Sequence, residues 1–213
     1  MSNILSECQV EYLTSLRNQI DSLFQEMEIF AAENKIPILD WMSAEFLAQL
    51  VLMCKPKSVL EIGTAIGYSS IRIARKLREK ASLDTIEKSR HNIKLAKEYI
   101  KRAKLKLSIN ILEGDALEIM PGLDKKYDLI FLDADKEDYE KLFYYSLMLL
   151  KKGGVLFVDN LLWHGCAAAK FVPESDKKST MIIREFNKMF LNSTALQSTI
   201  LSIGDGIGLG VKL

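Results

Sequence analysis

Cysteine and histidine are scarce: three Cys and two His in 213 residues. Cys8, Cys54 and Cys166 are widely spaced and form no C-x-x-C pair. That argues against a structural zinc site and for a reducing compartment. No apolar run is long enough to span a bilayer. The N-terminus, MSNILSECQVEY, lacks the basic start and apolar core of a signal peptide. These absences predict a cytoplasmic protein with no membrane partner. Charge of one sign is also lacking: Lys and Arg total 29 against 28 Asp and Glu, for a net charge of +1. Net charge therefore neither favours nor excludes nucleic acid. The dinucleotide fingerprint G-x-G-x-x-G is missing, which disfavours a nicotinamide oxidoreductase.

What is present reads as one α/β domain over residues 1–213, with residues 1–40 as an N-terminal helical extension. The chain is organised around Ser58 to Ser69, SVLEIGTAIGYS. An apolar run, Val59 to Ile62, leads into a glycine turn, Gly63 to Gly67, and then a helical pattern with Ile71, Ala74 and Leu77 on one face. Strand, glycine turn and helix open a nucleotide-binding α/β unit. Glycines permit a tight turn and close backbone approach to a ligand. Glu61 at the strand end would repel a phosphate and suits a cationic ligand. Glu61-Ile62-Gly63 resembles the first motif of class I S-adenosylmethionine (SAM) methyltransferases, whose ligand carries a sulfonium and an ammonium.

Elsewhere, Ile4, Val10, Leu13, Leu16, Ile20, Leu23, Met27 and Phe30 recur at helical spacing and predict one or two amphipathic helices. Pro37 breaks that pattern. Ser43 is the expected N-cap of a helix over 44–54. Leu83 to Glu87 reads as a second strand ending in an acid, about 20 residues beyond the glycine turn, where a ribose-binding carboxylate belongs. Ser89 caps a helix to about Ala103. Ser108 to Leu112 is a third strand, closed by Glu113-Gly114-Asp115-Ala116, a string suited to an adenine ring. Tyr127 to Leu132 is long and apolar, as the centre of a parallel sheet requires. A helix from Tyr139, a strand Val155 to Val158, a polar lid loop over 165–179 and a helix over 179–191 follow. Leu196 to Ile203 and Ile207 to Leu213 form a hairpin about Gly204-Asp205-Gly206.

Two central strands end in acids, Asp133 and then Asp159-Asn160, where ligands bind in open α/β sheets. Two carboxylates and an amide make an all-oxygen set that suits Mg²⁺ with open positions. The ammonium of Lys136 lies just beyond the first acid.

Taken together, Glu61 to Thr64, Glu87, Gly114 to Ala116, Asp133-Ala134-Asp135-Lys136 and Asp159-Asn160 resemble the metal-dependent O-methyltransferases of the catechol and caffeoyl-CoA type. Within that family the chain is most similar to small bacterial tRNA 5-hydroxyuridine methyltransferases. Shared features are the Ile-Pro-Ile segment at Ile36, the glycine-turn stretch and the Gly-Asp-Gly hairpin. The resemblance implies a Rossmann-like α/β fold: a mostly parallel seven-stranded sheet, helices on both faces and a C-terminal antiparallel hairpin. It implies SAM and Mg²⁺ or another divalent cation as cofactors. It makes Asp133, Asp159 and Asn160 the metal ligands, with Asp133 also against the cofactor, and Lys136 the catalytic base or charge partner. Glu61, Gly63, Glu87, Asp115 and Ala116 would bind the cofactor, with Ser69 and Leu39 lining its pocket. The acceptor expected from the resemblance is 5-hydroxyuridine at the tRNA wobble position; the alternative is a catechol-like or caffeoyl-CoA-like phenol. The region from Arg72 to Lys106 is rich in Lys and Arg, including Lys101, Arg102, Lys104 and Lys106, and offers the cations a tRNA phosphate would meet. The N-terminal apolar face predicts a homodimer. A non-catalytic SAM-fold protein is disfavoured by the intact acid, acid and amide set.

Overall fold

The structure, a computed structural model, describes residues 5–17 and 21–213. Ile4 and Ile20 of the N-terminal apolar pattern lie outside the described residues. Helix α1 (Glu7–Ser15) buries no residue. Helix α2 (Ser22–Asn34) is N-capped by Asp21, whose carboxylate accepts from the Leu23 N–H at 2.9 Å, and it ends at Lys35 in the left-handed conformation. Its Leu23, Phe24, Met27 and Ala31 are buried in the chain's own core.

Helix α3 (Trp41–Cys54) begins earlier than expected. Its N-cap is Asp40, which accepts from the N–H groups of Met42 and Ser43, so Ser43 is a buried helical residue and not the cap. A carboxylate at the N-cap satisfies free N–H groups and also favours the positive end of the helix dipole.

The strands and helices then alternate. Strand β1 (Ser58–Ile62) leads through the glycine turn to α4 (Tyr68–Lys76). Strand β2 (Ser82–Glu87) leads to α5 (Arg90–Arg102), which Ser89 caps as expected. Strand β3 (Ile109–Glu113) is followed by the single turn α6 (Ala116–Ile119). Strand β4 (Tyr127–Leu132) precedes α7 (Tyr139–Leu149). Strand β5 (Leu150–Val158) starts before the two glycines expected to precede it, and its pairing with β4 shifts register across them. Helix α8 (Lys177–Asn192) and strands β6 (Leu196–Leu201) and β7 (Ile207–Lys212) complete the chain.

Among the described residues the sheet has seven strands, in the order β3-β2-β1-β4-β5-β7-β6. The first five run parallel, and β7 pairs antiparallel with both β5 and β6. Strand residues alternate between two cores. Val59, Leu129, Phe131 and Phe157 face the side covered by α2, α3 and α4. Leu60, Ile130, Leu132 and Leu156 face the side covered by α7 and α8. This is the expected Rossmann-like class I methyltransferase fold. A strand order that reverses direction at β1 and β4 leaves a crevice at their carboxyl ends, where ligands bind in such sheets. Among the described residues no helix is long and apolar enough to cross a membrane.

Candidate active site

The carboxyl ends of the five parallel strands open into a cavity of about 1160 Å³. That is somewhat above the usual range for one small ligand, roughly 300–1,000 Å³. Gly63, Glu87, Asp115, Ala116, Asp133, Lys136, Asp159 and Asn160 all line it. Leu39, Glu61 and Ser69 do not line it; they are buried behind its wall.

Each wall residue has a local cause. Gly63 has φ +103°, and a Cβ there would stand 1.9 Å from the Asp133 carbonyl oxygen. The close approach that demands glycine is therefore to the neighbouring strand end. Asp133 donates its own N–H to the Ile62 carbonyl at 3.0 Å, which fastens β1 to β4 at the cavity floor. Glu87 holds the rim of the turn: its two carboxylate oxygens accept from the N–H groups of Ala65 at 2.9 Å and Ser89 at 2.8 Å. Asp115 N-caps α6 by accepting from the Leu117 N–H at 2.8 Å.

Glu61 sits beneath this floor, fully buried, with its Oε2 accepting from the hydroxyls of Ser70 and Thr85. Thr85 is in turn 2.6 Å from the Thr64 hydroxyl. Burial pushes the Glu61 carboxyl up to about 7; the hydroxyls of Ser69, Ser70 and Thr85 pull it down, and Asp133 pushes it further up.

The far end of the cavity carries the charges. Lys136, with only 9% of its side chain exposed, donates to the Asn160 side-chain oxygen at 2.6 Å and to the Tyr139 hydroxyl at 2.5 Å. Its Nζ stands 3.6 Å from Asp133 Oδ1 and lies over the rings of Tyr139 and Trp163. The Tyr139 hydroxyl in turn donates to the Asp159 backbone carbonyl at 3.1 Å. Asn160 donates to Asp159 Oδ2 at 3.2 Å. Burial lowers the Lys136 pKa, opposed by Asp133 and Asp159. Burial raises both aspartates, and the Asp133 charge raises Asp159 further.

Those directions describe a site short of positive charge. Among the described residues Asp159 Oδ1 is buried with no hydrogen-bond partner, a costly arrangement for a carboxylate oxygen. Among the described residues no trio of His, Cys, Asp and Glu converges as a metal cage. The candidate set is two carboxylates and an amide, with one carboxylate oxygen unfilled. Those residues fit a hard divalent cation.

Three contributors were not singled out from the sequence. The sequence marks Tyr139 only as the start of a helix, and it does not mark Trp41, which lines the cavity from the first turn of α3. The sequence marks Asp205 only as a hairpin turn, yet its carboxylate accepts from the His164 N–H at 2.6 Å at the cavity rim. Within the basic stretch, Lys88 lines the cavity, whereas Lys101 to Lys106 lie at and just beyond the far end of α5. Helix α5 runs back from the cavity over 13 residues, about 20 Å of helix. At its far end Arg102 pairs with Glu26, and Lys106 with Glu79 at 3.3 Å.

The chain matches the O-methyltransferase family over residues 9–213. It is 31% identical over 210 residues to a catechol O-methyltransferase of Niastella koreensis, covering 95% of this chain and 93% of that one. A Staphylococcus aureus structure provisionally described as a caffeoyl-CoA O-methyltransferase superposes with a TM-score of 0.89 at 30% identity, over 97% of this chain and 100% of that one. The Streptomyces achromogenes O-methyltransferase TomG, solved in complex with SAM, superposes with a TM-score of 0.82 at 27% identity over 94% of each chain. With the fold, the strand-end acids and these matches in agreement, the chain belongs to the O-methyltransferase family and is a SAM-dependent O-methyltransferase of the catechol and caffeoyl-CoA type.

Proposed function

We propose that the chain transfers the SAM methyl group to a hydroxyl that has a second oxygen beside it, with a divalent cation at Asp133, Asp159 and Asn160. The observation that carries this reading is the partnerless Asp159 oxygen, buried beside a second carboxylate and an amide. When bound there, the cation would lower the pKa of the acceptor hydroxyl.

The chain's own residues do the rest. Glu87 and Asp115, at the ends of β2 and β3, take the nucleoside of SAM. Asp133 and Lys136 stand between that half of the cavity and Asn160. Lys136 Nζ takes the acceptor proton when neutral; as the ammonium it balances the oxyanion left once that proton has gone to solvent. The new O–C bond forms as the S–C bond breaks, the electron pair stays on sulfur, and the sulfonium becomes a neutral thioether. Holding acceptor and methyl in line removes orientational entropy from the barrier.

The acceptor we propose is 5-hydroxyuridine in tRNA, whose 5-hydroxyl adjoins the C4 carbonyl. The glycine-turn and hairpin motifs support it. The paired state and remote position of Arg102 and Lys106 remove those two cations from its support. A catechol-like phenol is the second reading, favoured by the activity named for the Niastella koreensis relative. Incubation with SAM, Mg²⁺ and either hydroxylated tRNA or catechol, with products read by mass spectrometry, tests both. A methylated nucleoside is expected. Turnover of catechol with none of tRNA would transfer the assignment to the phenol.

We also propose a cytoplasmic homodimer. Helix α2 spends most of its apolar face inside the chain, so the apolar side chains offered to a second copy are Leu13 and Leu16 at α1, Ile29 of α2, and Leu52 and Met53 of α3, all exposed. A monomeric mass by light scattering at micromolar concentration would reject it.

A further inference from the structure

The turn that carries Asn160 is backbone-strained. Asn160 has φ 62°, Trp163 φ 47° and His164 φ 53°, three non-glycine residues in the left-handed region within five positions. A bulky residue there is a genuine outlier, and each such residue costs on the order of 1–3 kcal/mol unless its surroundings dictate it.

The surroundings are the hairpin loop between β6 and β7. The Leu161 N–H donates to the Gly206 carbonyl and the Leu162 N–H to the Asp205 carbonyl, both at 2.9 Å. The His164 N–H donates to Asp205 Oδ1 at 2.6 Å, and His164 Nδ1 lies 3.4 Å from Asp205 Oδ2. The fit is steric as well. Gly206 has φ +86°, and a Cβ there would stand 2.5 Å from Leu162 Cγ and 2.7 Å from its backbone nitrogen. On the loop's other side, a Cβ on Gly204 would stand 2.2 Å from the Ser43 hydroxyl. The loop is thus wedged between the start of α3 and the turn.

We propose that Asp205 is a positioning residue for methyl transfer: the Gly204-Asp205-Gly206 loop is the mould that holds Asn160 to His164 in their left-handed path. The link to catalysis rests on the reading above, in which Asn160 and Lys136 serve the reaction. The link to the turn does not. Asp205 acts through its acceptor oxygen on the His164 N–H, so an amide of the same shape should replace it.

Trp163 provides a readout apart from activity. The chain has two tryptophans, so a Trp41→Phe parent leaves Trp163 as the only indole in the protein. In that parent, Asp205→Ala should raise acrylamide quenching of Trp163 about twofold or more. It should lower kcat about tenfold or more, since misplacing a site by about 1 Å costs on the order of a hundredfold. KM for SAM should stay within about threefold, because the donor half of the cavity is untouched. Asp205→Asn should restore both quenching and kcat to within about threefold of the parent. Gly206→Ala should behave as Asp205→Ala does. Should Asp205→Ala fail to fold, Asp205→Ser shortens the acceptor with the same expected direction.

Unchanged quenching in Asp205→Ala would overturn the mould whatever happens to activity. An Asp205→Asn variant as slow as Asp205→Ala, with quenching unaltered, would show that Asp205 acts by its charge and overturn the positioning role. Raised quenching with full kcat would leave the mould standing and overturn the use of Asn160 in the reaction.

Discussion

The Asn160 side-chain oxygen accepts from the Lys136 ammonium at 2.6 Å. One of the three oxygens assigned to a cation is thus already engaged by a cation of the chain itself. The same ammonium stands 3.6 Å from Asp133, so Lys136 neutralises part of the acid cluster before anything binds. Asp159 Oδ1 receives none of this help.

Asp159→Asn should therefore reduce methyl transfer about a hundredfold or more while the protein stays folded and SAM still binds. Its thermal midpoint without added metal should be unchanged or higher, because a buried like charge beside Asp133 is removed. Activity and melting curves measured together decide this. A variant with full turnover would remove Asp159 from the cation site.

Lys136→Ala should cut kcat about a hundredfold, the usual scale of an acid–base group. The deficit should shrink as pH rises and the acceptor ionises without help. A pH–rate profile of both proteins on one acceptor tests the point. A deficit of about tenfold or less that ignores pH would exclude the role.

Glu61 gives the fold a pH dependence of its own. Its folded carboxyl is raised from 4.5 to about 7, chiefly by burial. The folded state then binds this proton more tightly than the unfolded chain does. Stability from this group is complete below about pH 4.5 and declines as pH rises through about 7. The loss is a few kcal/mol at most, at 1.36 kcal/mol per pH unit. Glu61→Gln should accordingly gain stability over the parent at pH 8 and little at pH 4.5, in denaturant melts without SAM. A difference that stays constant across that range would show that Glu61 is not titrating as its burial dictates.

The strands and most helices were legible because their signals are local. Tyr127 to Leu132 is apolar on both faces and became the central strand β4. Ser89 capped α5 where a polar residue precedes a helical pattern. The strand-end acids were legible for the same reason, and all of Asp133, Asp159 and Asn160 reached the cavity. What stayed hidden depends on distant contacts. Asp40 and Ser43 are both good caps by type, and the chain's entry into α3 favoured the earlier one. Gly63 answers to a carbonyl 70 positions away, at Asp133. Asp205 meets His164 across 41 positions. Of the N-terminal apolar face, Phe24 and Met27 are taken up by the chain's own core, while Leu13 and Leu16 stay exposed.

The nature of the acceptor has a simple signature in salt. A tRNA acceptor is a polyanion, and each phosphate neutralised on binding releases counterions. kcat/KM on hydroxylated tRNA should fall steeply from low to physiological salt, while a neutral catechol should show almost no change. Reversing the charges of Lys101 and Arg102 should leave kcat/KM on tRNA within about threefold, because these residues sit at the end of α5 remote from the cavity. A flat salt response on tRNA would reject a phosphate-contacting mode, and a large loss in the reversed variant would restore that patch to the binding surface.

The most direct measurement is product mass spectrometry after incubation with SAM and 5-hydroxyuridine-containing tRNA or catechol. Parallel reactions contain Mg²⁺ or excess chelator. Methylation on the acceptor oxygen with Mg²⁺, lost with chelator and recovered on adding Mg²⁺ back, is the predicted result. Undiminished O-methylation in the presence of chelator would contradict the cation site built from Asp133, Asp159 and Asn160.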